Sequence, residues 1–196
     1  MRSAIIRKAF AALALCTVAG ALLAAELPEG WIRAGSHPAE YEMGVDRAHP
    51  RQGRAIGYVK GIATEYHGFG TLMQMAETGE FLGKRVRFSA DLKTEDVDSG
   101  WAGIWFRVDG ERGEALAFDN MQDRALRGST DWKHVEIVLE VPREARALAF
   151  GLLLRGGGQA WMDRLKFEVV GVHVPVTGGY GGMMLKGPPR NLDFSK

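Results

Sequence analysis

Cysteine occurs once in the 196 residues, at position 16, inside an apolar segment near the N-terminus. If that segment is removed on export no thiol remains, which excludes disulfides, thiolate nucleophiles and cysteine-bound metal together. An excess of one charge sign is lacking too: 25 Lys+Arg stand against 24 Asp+Glu, a formal net charge of +1. Non-specific nucleic-acid binding depends on clustered positive charge, so this balance argues against a nucleic-acid partner. Catalytic signatures are missing as well. There is no Gly-x-Ser-x-Gly elbow, no phosphate loop, no His-Glu-x-x-His and no Gly-x-Gly-x-x-Gly after a strand. His49, His134 and His173 are scattered without ligand spacing. These absences point to a non-enzyme with no cofactor and no metal centre, although carboxylate pairs built across strands leave no mark in a sequence.

Only one long hydrophobic run is present. Arg2, Arg7 and Lys8 precede an apolar stretch from Ala9 to Ala25, broken by Thr17 and Gly20, and Glu26 opens ordinary polar sequence. Charged start, apolar middle and small-residue end are the layout of a signal peptide. Ala19-Gly20-Ala21 and Ala24-Ala25 offer cleavage points. Two other readings exist: a membrane anchor, for which the run is near the minimum of about 18 residues, and a lipoprotein at Cys16, where Leu15 is large in place of a small residue. The expectation is a signal peptide over 1–25, a periplasmic or secreted chain, and no membrane span after cleavage. Loss of the three bases leaves 22 against 24 acids, a net charge of −2.

With 46% hydrophobic and 25% charged residues the remainder has globular composition. A domain of this size buries roughly 70% of its unfolded surface without staples. Its dominant pattern is period-2 alternation. Val86, Phe88, Ala90 and Leu92 alternate with Arg85, Arg87, Ser89 and Asp91, and Val135, Ile137, Leu139 and Val141 alternate with His134, Glu136, Val138 and Glu140. Alternate side chains of a strand face opposite sides, so each segment reads as a strand with one face on a core. Further strands are expected at 40–45, 55–61, 70–76, 101–108, 114–118, 148–154 and 161–170. The 26 glycines, about twice the usual ~7%, supply turns between them. The helical scraps at 77–82 and 144–146 are too short to form a layer. Short strands without crossover helices imply an all-β fold, a two-sheet antiparallel sandwich of jelly-roll type over 26–173. Its expected core is Val86, Phe88, Ile104, Phe106, Val135, Ile137, Leu139, Phe150, Leu152, Leu165 and Phe167. Residues 174–196, rich in Gly and Pro, read as an extended tail. Met183, Met184, Leu185 and Asn191–Phe194 are its apolar candidates for folding back onto the sandwich.

Gly83-Lys84-Arg85-Val86-Arg87-Phe88, Gly151-Leu152-Leu153-Leu154 and Trp161-Met162-Asp163-Arg164-Leu165 are similar to segments of the galactose-binding-like jelly roll shared by many carbohydrate-binding modules. This resemblance covers roughly Trp31 to Val170. The stretch Gly100–Asp109 with Phe118–Arg124 resembles, more narrowly, an exported bacterial family whose relatives occur alone or joined to other modules, including regulators. The resemblance implies a fold and a carbohydrate ligand. It does not fix a function, because this fold hosts many.

The candidate site follows from strand parity. Ala102, Ile104, Phe106 and Val108 would face the core, leaving Trp101, Trp105 and Arg107 on the other face as an exposed platform. Aromatic rings cover the apolar faces of a sugar and Arg bonds its hydroxyls. The alternative is that both tryptophans pack beneath a loop. Gln74 joins them by analogy with related modules, and Asp119 and Asn120 stand at a strand end on the rim. Asp119, Asn120 and Asp123 could hold a hard cation such as calcium, or organise a turn, with Asp123 pairing Arg124. Trp161 and Asp163 share parity with Leu165 and Phe167 and are expected to face the core, with Asp163 bonded to backbone or to an arginine. The function expected is an exported, non-catalytic module binding a glycan or similar polar ligand. A structural or interaction module with an envelope protein partner is the alternative.

Overall fold

The computed structural model describes residues 26–178. The expected signal segment, Cys16, and the tail candidates Met183–Leu185 and Asn191–Phe194 lie outside the described residues.

Among the described residues nine strands carry almost all of the architecture: β1 (Trp31–Gly35), β2 (Tyr41–Arg51), β3 (Arg54–Gly61), β4 (Phe69–Glu77), β5 (Lys84–Asp109), β6 (Ala115–Asp119), β7 (Leu126–Val141), β8 (Ala147–Arg155) and β9 (Gln159–Val170). Among the described residues the only helical elements are three single 3-10 turns. Every pairing is antiparallel. The expected all-β jelly-roll sandwich is what forms. One feature differs: segments 85–92 and 101–108, which read as two strands, are halves of the single 26-residue β5.

Such a strand would run roughly 85 Å if straight, far more than a domain of this size accommodates. It bends instead, and Asp96 takes a left-handed φ of 55° near its middle. The first half of β5 pairs with β7 and β9, and the second half with β8 and β6. The sheet therefore curls into two layers, β7-β5-β9-β3-β2 and β6-β5-β8-β4-β1, with β5 shared between them.

Between the layers lies the core. Val86, Phe88, Ile104, Phe106, Ile137, Leu139, Phe150 and Leu152 are buried in it, and Val135, Leu165 and Phe167 pack against it. Its centre is aromatic: Phe88 stacks on Phe167 with centroids 4.7 Å apart, and Phe150 meets Phe167 edge-on at 4.8 Å. Each such pair adds about 0.5–1.5 kcal/mol beyond its buried area.

Parity in β9 is not continuous. Ser89 faces Lys166 but Asp91 faces Asp163, so β9 carries an extra residue at this point, and Arg164 has a φ of 54°. This is a β-bulge, which reverses the side-chain alternation along the strand. C-terminal to it, Leu165 and Phe167 face the core. On the N-terminal side Ala160 and Met162 take the core positions, and Trp161 and Asp163 turn to the outer face. The expectation that Trp161 and Asp163 face the core is corrected by this bulge. Asp163 does have arginine partners, Arg51 at 3.4 Å and Arg54 at 3.3 Å.

The described start of the tail is docked. Thr177 N donates to Val138 O at 2.9 Å, and Val138 N donates to Thr177 Oγ1 at 2.9 Å.

Candidate functional site

Each layer has an outer face, and each outer face carries an aromatic groove. On the β6-β5-β8-β4-β1 layer, Met73, Trp101, Trp105, Ala149 and Leu153 form a second buried cluster, flanked by Ala34, Phe69 and Ala125. Trp105 on β5 stands opposite Gly151 on β8, which stands opposite Met73 on β4. At Gly151 an added Cβ would lie 2.2 Å from Leu72 O of β4, so this position packs closely on that strand, and across it the Trp105 Nε1 donates to Thr71 Oγ1 at 2.7 Å. Thr71 Oγ1 in turn donates to Leu152 O at 2.8 Å.

A groove of about 380 Å³ opens over this floor, within the size range of small-molecule sites. Trp105, Met73, Leu153 and Phe69 supply apolar surface, Phe118 a partly exposed rim, and Ser36, Thr71 and Arg107 the polar groups. Arg107 Nη2 donates to Asp109 Oδ2 at 2.9 Å and its Nε lies 2.7 Å from Oδ1. Asp109 is nearly fully buried and so holds the guanidinium at the groove edge.

Trp105 and Arg107 thus share a groove, as parity suggested, but as its floor and edge. Trp105 is 7% exposed and Trp101 6%, so neither is the exposed platform that was expected. Trp101 does not line the groove. The turn after β6 lies over the strand at Gly103, where an added Cβ would be 3.2 Å from both Asn120 O and Met121 Cβ, and Ala125 packs on the tryptophan cluster. Gln74 is on the other side of β4: Leu72 faces the core and Met73 the groove, so Gln74 follows Leu72 and sits near Gly30.

Asp119 and Asn120 build that turn. Asp119 Oδ1 accepts from Met121 N at 2.8 Å, and Oδ2 from Arg124 Nη2 at 2.6 Å. Asn120 Oδ1 accepts from Gln122 N at 3.1 Å, and Asp123 pairs with Arg124 at 2.9 Å. Burial raises the Asp119 carboxyl, but bonds from Arg124, Thr177 and the Met121 amide outweigh it and hold the group below the usual carboxylate range. These oxygens are engaged within the protein, and among the described residues no group of three His, Cys, Asp or Glu is placed to hold a metal.

Sequence reasoning missed the groove on the opposite layer, because the β9 bulge hid it. There Ile56, Tyr58 and Trp161 cluster on the outer face with Trp132 against them. The β2–β3 hairpin turns at Gln52 and Gly53, both with positive φ, the geometry of a tight two-residue turn. Its arm folds over the sheet: Arg51 Nη1 donates to Asp91 Oδ2 at 2.6 Å, and its guanidinium lies 4.2 Å from the Trp132 ring centroid. Between arm and sheet is a groove of about 780 Å³. Trp161 Nε1 donates to Asp46 Oδ2 at 3.0 Å and the Tyr58 hydroxyl donates to Glu42. Burial and the Glu42 carboxylate push the Tyr58 hydroxyl above its ordinary value.

The chain thus forms a two-layer antiparallel β-sandwich of jelly-roll type with an aromatic groove on each outer face. Among solved structures, the chain is similar to the CBM22-1 xylan-binding domain of Paenibacillus barcinonensis Xyn10C, with a TM-score of 0.51 and 13% identity over 75% of this chain and 90% of that one. It is also similar to the enzymatically active domain of tailspike protein 4 from bacteriophage CBA120, with a TM-score of 0.52 and 11% identity over 72% of this chain and 20% of that one. At these identities the likeness is one of fold. By sequence the chain is 42% identical over 169 residues to an uncharacterised HTH-type transcriptional regulator, YbfP, of Bacillus subtilis (strain 168). That match takes in 86% of this chain and spans 57% of the length of the relative. No family model matches the chain.

Proposed function

We propose that the chain is an exported, non-catalytic module that binds a glycan or similar polar ligand in the groove over Trp105. One observation carries the reading: a single groove combines an aromatic and aliphatic floor with a guanidinium held in place by a buried carboxylate. The Trp105 and Thr71 donors are already used inside the protein. A ligand therefore meets apolar surface at Phe118, Phe69 and Met73, and finds its polar partner in Arg107, since Ser36 Oγ accepts from Phe69 N at 3.1 Å and meets His37 Nδ1 at 3.3 Å. A sugar ring, apolar on its faces and polar at its rim, has that character. Among the described residues that line this groove none is a carboxylate, and glycoside hydrolysis uses a carboxylate pair.

One likeness supports the glycan-binding part of this reading. The xylan-binding domain shares the fold and is named for a glycan ligand.

Screening the mature protein on a glycan array, with tryptophan fluorescence read on each hit, tests the proposal. Phe118, 39% exposed on the rim, is the residue to remove: Phe118→Ala should weaken the hits at least tenfold without changing the melting temperature. Hits indifferent to Phe118→Ala, or none at all, would sink the reading. Export is tested separately by intact mass of protein recovered from the cell envelope, where loss of 21 to 25 residues is expected. A full-length mass would overturn it.

A further inference from the structure

We infer a second glycan-binding site, for a neutral, hydroxyl-rich oligosaccharide chain, in the groove between the β2–β3 arm and the outer face of the β7-β5-β9-β3-β2 layer. Strand register sets its floor in rows. Tyr58 on β3 lies directly opposite Trp161 on β9, and Trp161 directly opposite Lys93 on β5. One pleat further along, Glu42, Lys60, Gln159 and Glu95 follow one another across β2, β3, β9 and β5. An aromatic row therefore runs beside a polar row, across four strands.

The chemistry of each row is specific. The indole N–H of Trp161 and the hydroxyl of Tyr58 are bonded to Asp46 and Glu42, and both side chains are 7% exposed, so like Trp105 they form a buried apolar floor, with the partly buried Trp132 as the aromatic wall above it. The polar row offers ammonium and amide donors next to amide and carboxylate acceptors. A sugar hydroxyl both donates and accepts, so neighbouring hydroxyls fit a row in which the two kinds of group are interspersed. Among the described residues Lys60 and Glu95 form no ion pair, which leaves them available to a ligand, while the Lys93 ammonium lies 5.6 Å from the Trp161 ring centroid.

Charge selects a neutral ligand. Arg47, Arg51, Lys60 and Lys93 are opposed by Glu42, Asp46 and Glu95 around the groove, and Arg51 is already paired with Asp91. The remaining field is close to balanced and gives an anionic chain no advantage. At about 780 Å³ the groove has roughly twice the volume of the one over Trp105, which suits a run of sugars. The arm is fixed by Arg51 to Asp91 and Trp132, so the groove stands formed before ligand arrives. Trp105 and Trp161 lie on opposite outer faces, so the protein would hold two glycan chains at once and bridge them, gaining avidity without further contacts.

The test uses an array of neutral, uronic-acid and sialylated oligosaccharides, read with the Phe118→Ala protein so that the first groove contributes little. Neutral oligosaccharides should still bind, and binding should fall at least tenfold when Lys60→Ala and Gln159→Ala are added, with an unchanged melting temperature. Trp132→Ala should weaken the same hits. The inference is overturned if the Phe118→Ala protein binds no neutral glycan, if Lys60→Ala and Gln159→Ala leave binding intact, or if only acidic glycans bind. Neutral hits that ignore Phe118→Ala but vanish with Lys60→Ala and Gln159→Ala would support this site and count against the Trp105 groove alone.

Discussion

Trp105 and Thr71 are joined across the intervening strand β8 by a 2.7 Å hydrogen bond from indole Nε1 to hydroxyl Oγ1. Thr71 Oγ1 in turn donates a hydrogen bond to the Leu152 carbonyl at 2.8 Å, so three neighbouring strands are linked by two consecutive hydrogen bonds. The indole is a cross-strand brace as well as a groove floor. Its burial makes it part of the fold.

Removing it should therefore be costly. Trp105→Ala and Trp101→Ala are each expected to lower stability by about 3–5 kcal/mol, the usual penalty for truncating a buried aromatic. Trp105→Phe keeps an aromatic ring but loses the bond and part of the indole's volume, so its loss should be smaller, about 1–3 kcal/mol. Urea melts of the three variants check this ordering. Near-wild-type stability for Trp105→Ala would mean that the ring is an exposed platform after all.

Much of the fold was legible because one signal, alternation with period 2, is written directly into strand sequence. Val86 with Phe88, and Ile137 with Leu139, mark core faces without any tertiary information, and both pairs are buried in the core. What alternation does not reveal is a place where it is broken. The extra residue at Arg164 carries no glycine or proline to announce it, and it alone decides that Trp161 faces outward while Phe167 faces inward. The larger groove was hidden for this reason. Parity did place Trp105 and Arg107 on one outer face, but it is blind to what crosses above a strand, so the turn that covers Trp101 went unseen. Gln74 was assigned by analogy rather than parity, and parity within β4 puts it opposite Met73.

Acid should weaken the protein through Asp119. Its carboxyl is raised by burial but lowered further by Arg124, Thr177 and the Met121 amide, so its folded pKa lies below the unfolded value of about 3.9. A depressed carboxylate stabilises the fold above the unfolded pKa, and that contribution is lost as pH falls through the folded pKa. Stability should decline below about pH 4, with Asp46 and Asp91, also depressed, adding to the slope. Asp119→Asn should be less stable at pH 7 by about 1–3 kcal/mol, because Arg124 loses its charged acceptor, and should show a shallower acid slope. Denaturant melts from pH 7 to pH 2.5 read both effects; parallel slopes would remove Asp119 as a contributor.

The docked start of the tail gives a local prediction. Thr177 supplies both a donor to the Val138 carbonyl and an acceptor for the Val138 amide. Thr177→Ala removes the acceptor, so the Val138 amide should exchange with solvent at least tenfold faster while amides in the core strand segment Val86–Leu92 stay protected. Exchange by NMR or mass spectrometry measures it. Equal protection in variant and wild type would show that another group covers this amide. The same substitution should raise the Asp119 carboxyl, since Thr177 is one of the groups that lower it.

The hairpin arm depends on Arg51. Its guanidinium pairs with Asp91 and Asp163, whose side chains are only 11% and 9% exposed, and lies over Trp132. Arg51→Ala takes the shortest ion pair, at 2.6 Å, from Asp91 and one of the two arginine partners, at 3.4 Å, from Asp163. Asp91 keeps His134 at 3.0 Å and Arg164 at 3.7 Å, and Asp163 keeps Arg54 at 3.3 Å. Because these partners remain, the loss should stop short of the 3–5 kcal/mol of a buried charge left alone, at about 1–3 kcal/mol. Local effects should exceed global ones. Freed from the sheet, the arm should expose Trp161 and Trp132, shifting tryptophan emission to longer wavelength and opening Arg51–Arg54 to limited proteolysis under native conditions. Arg51→Lys retains a charge but not the planar fork that reaches two carboxylates and stacks on an indole, so it should restore the stability only in part and the emission not at all. If Arg51→Ala leaves emission and proteolysis unchanged, the arm is held by its own hairpin and the groove beneath it does not depend on this side chain.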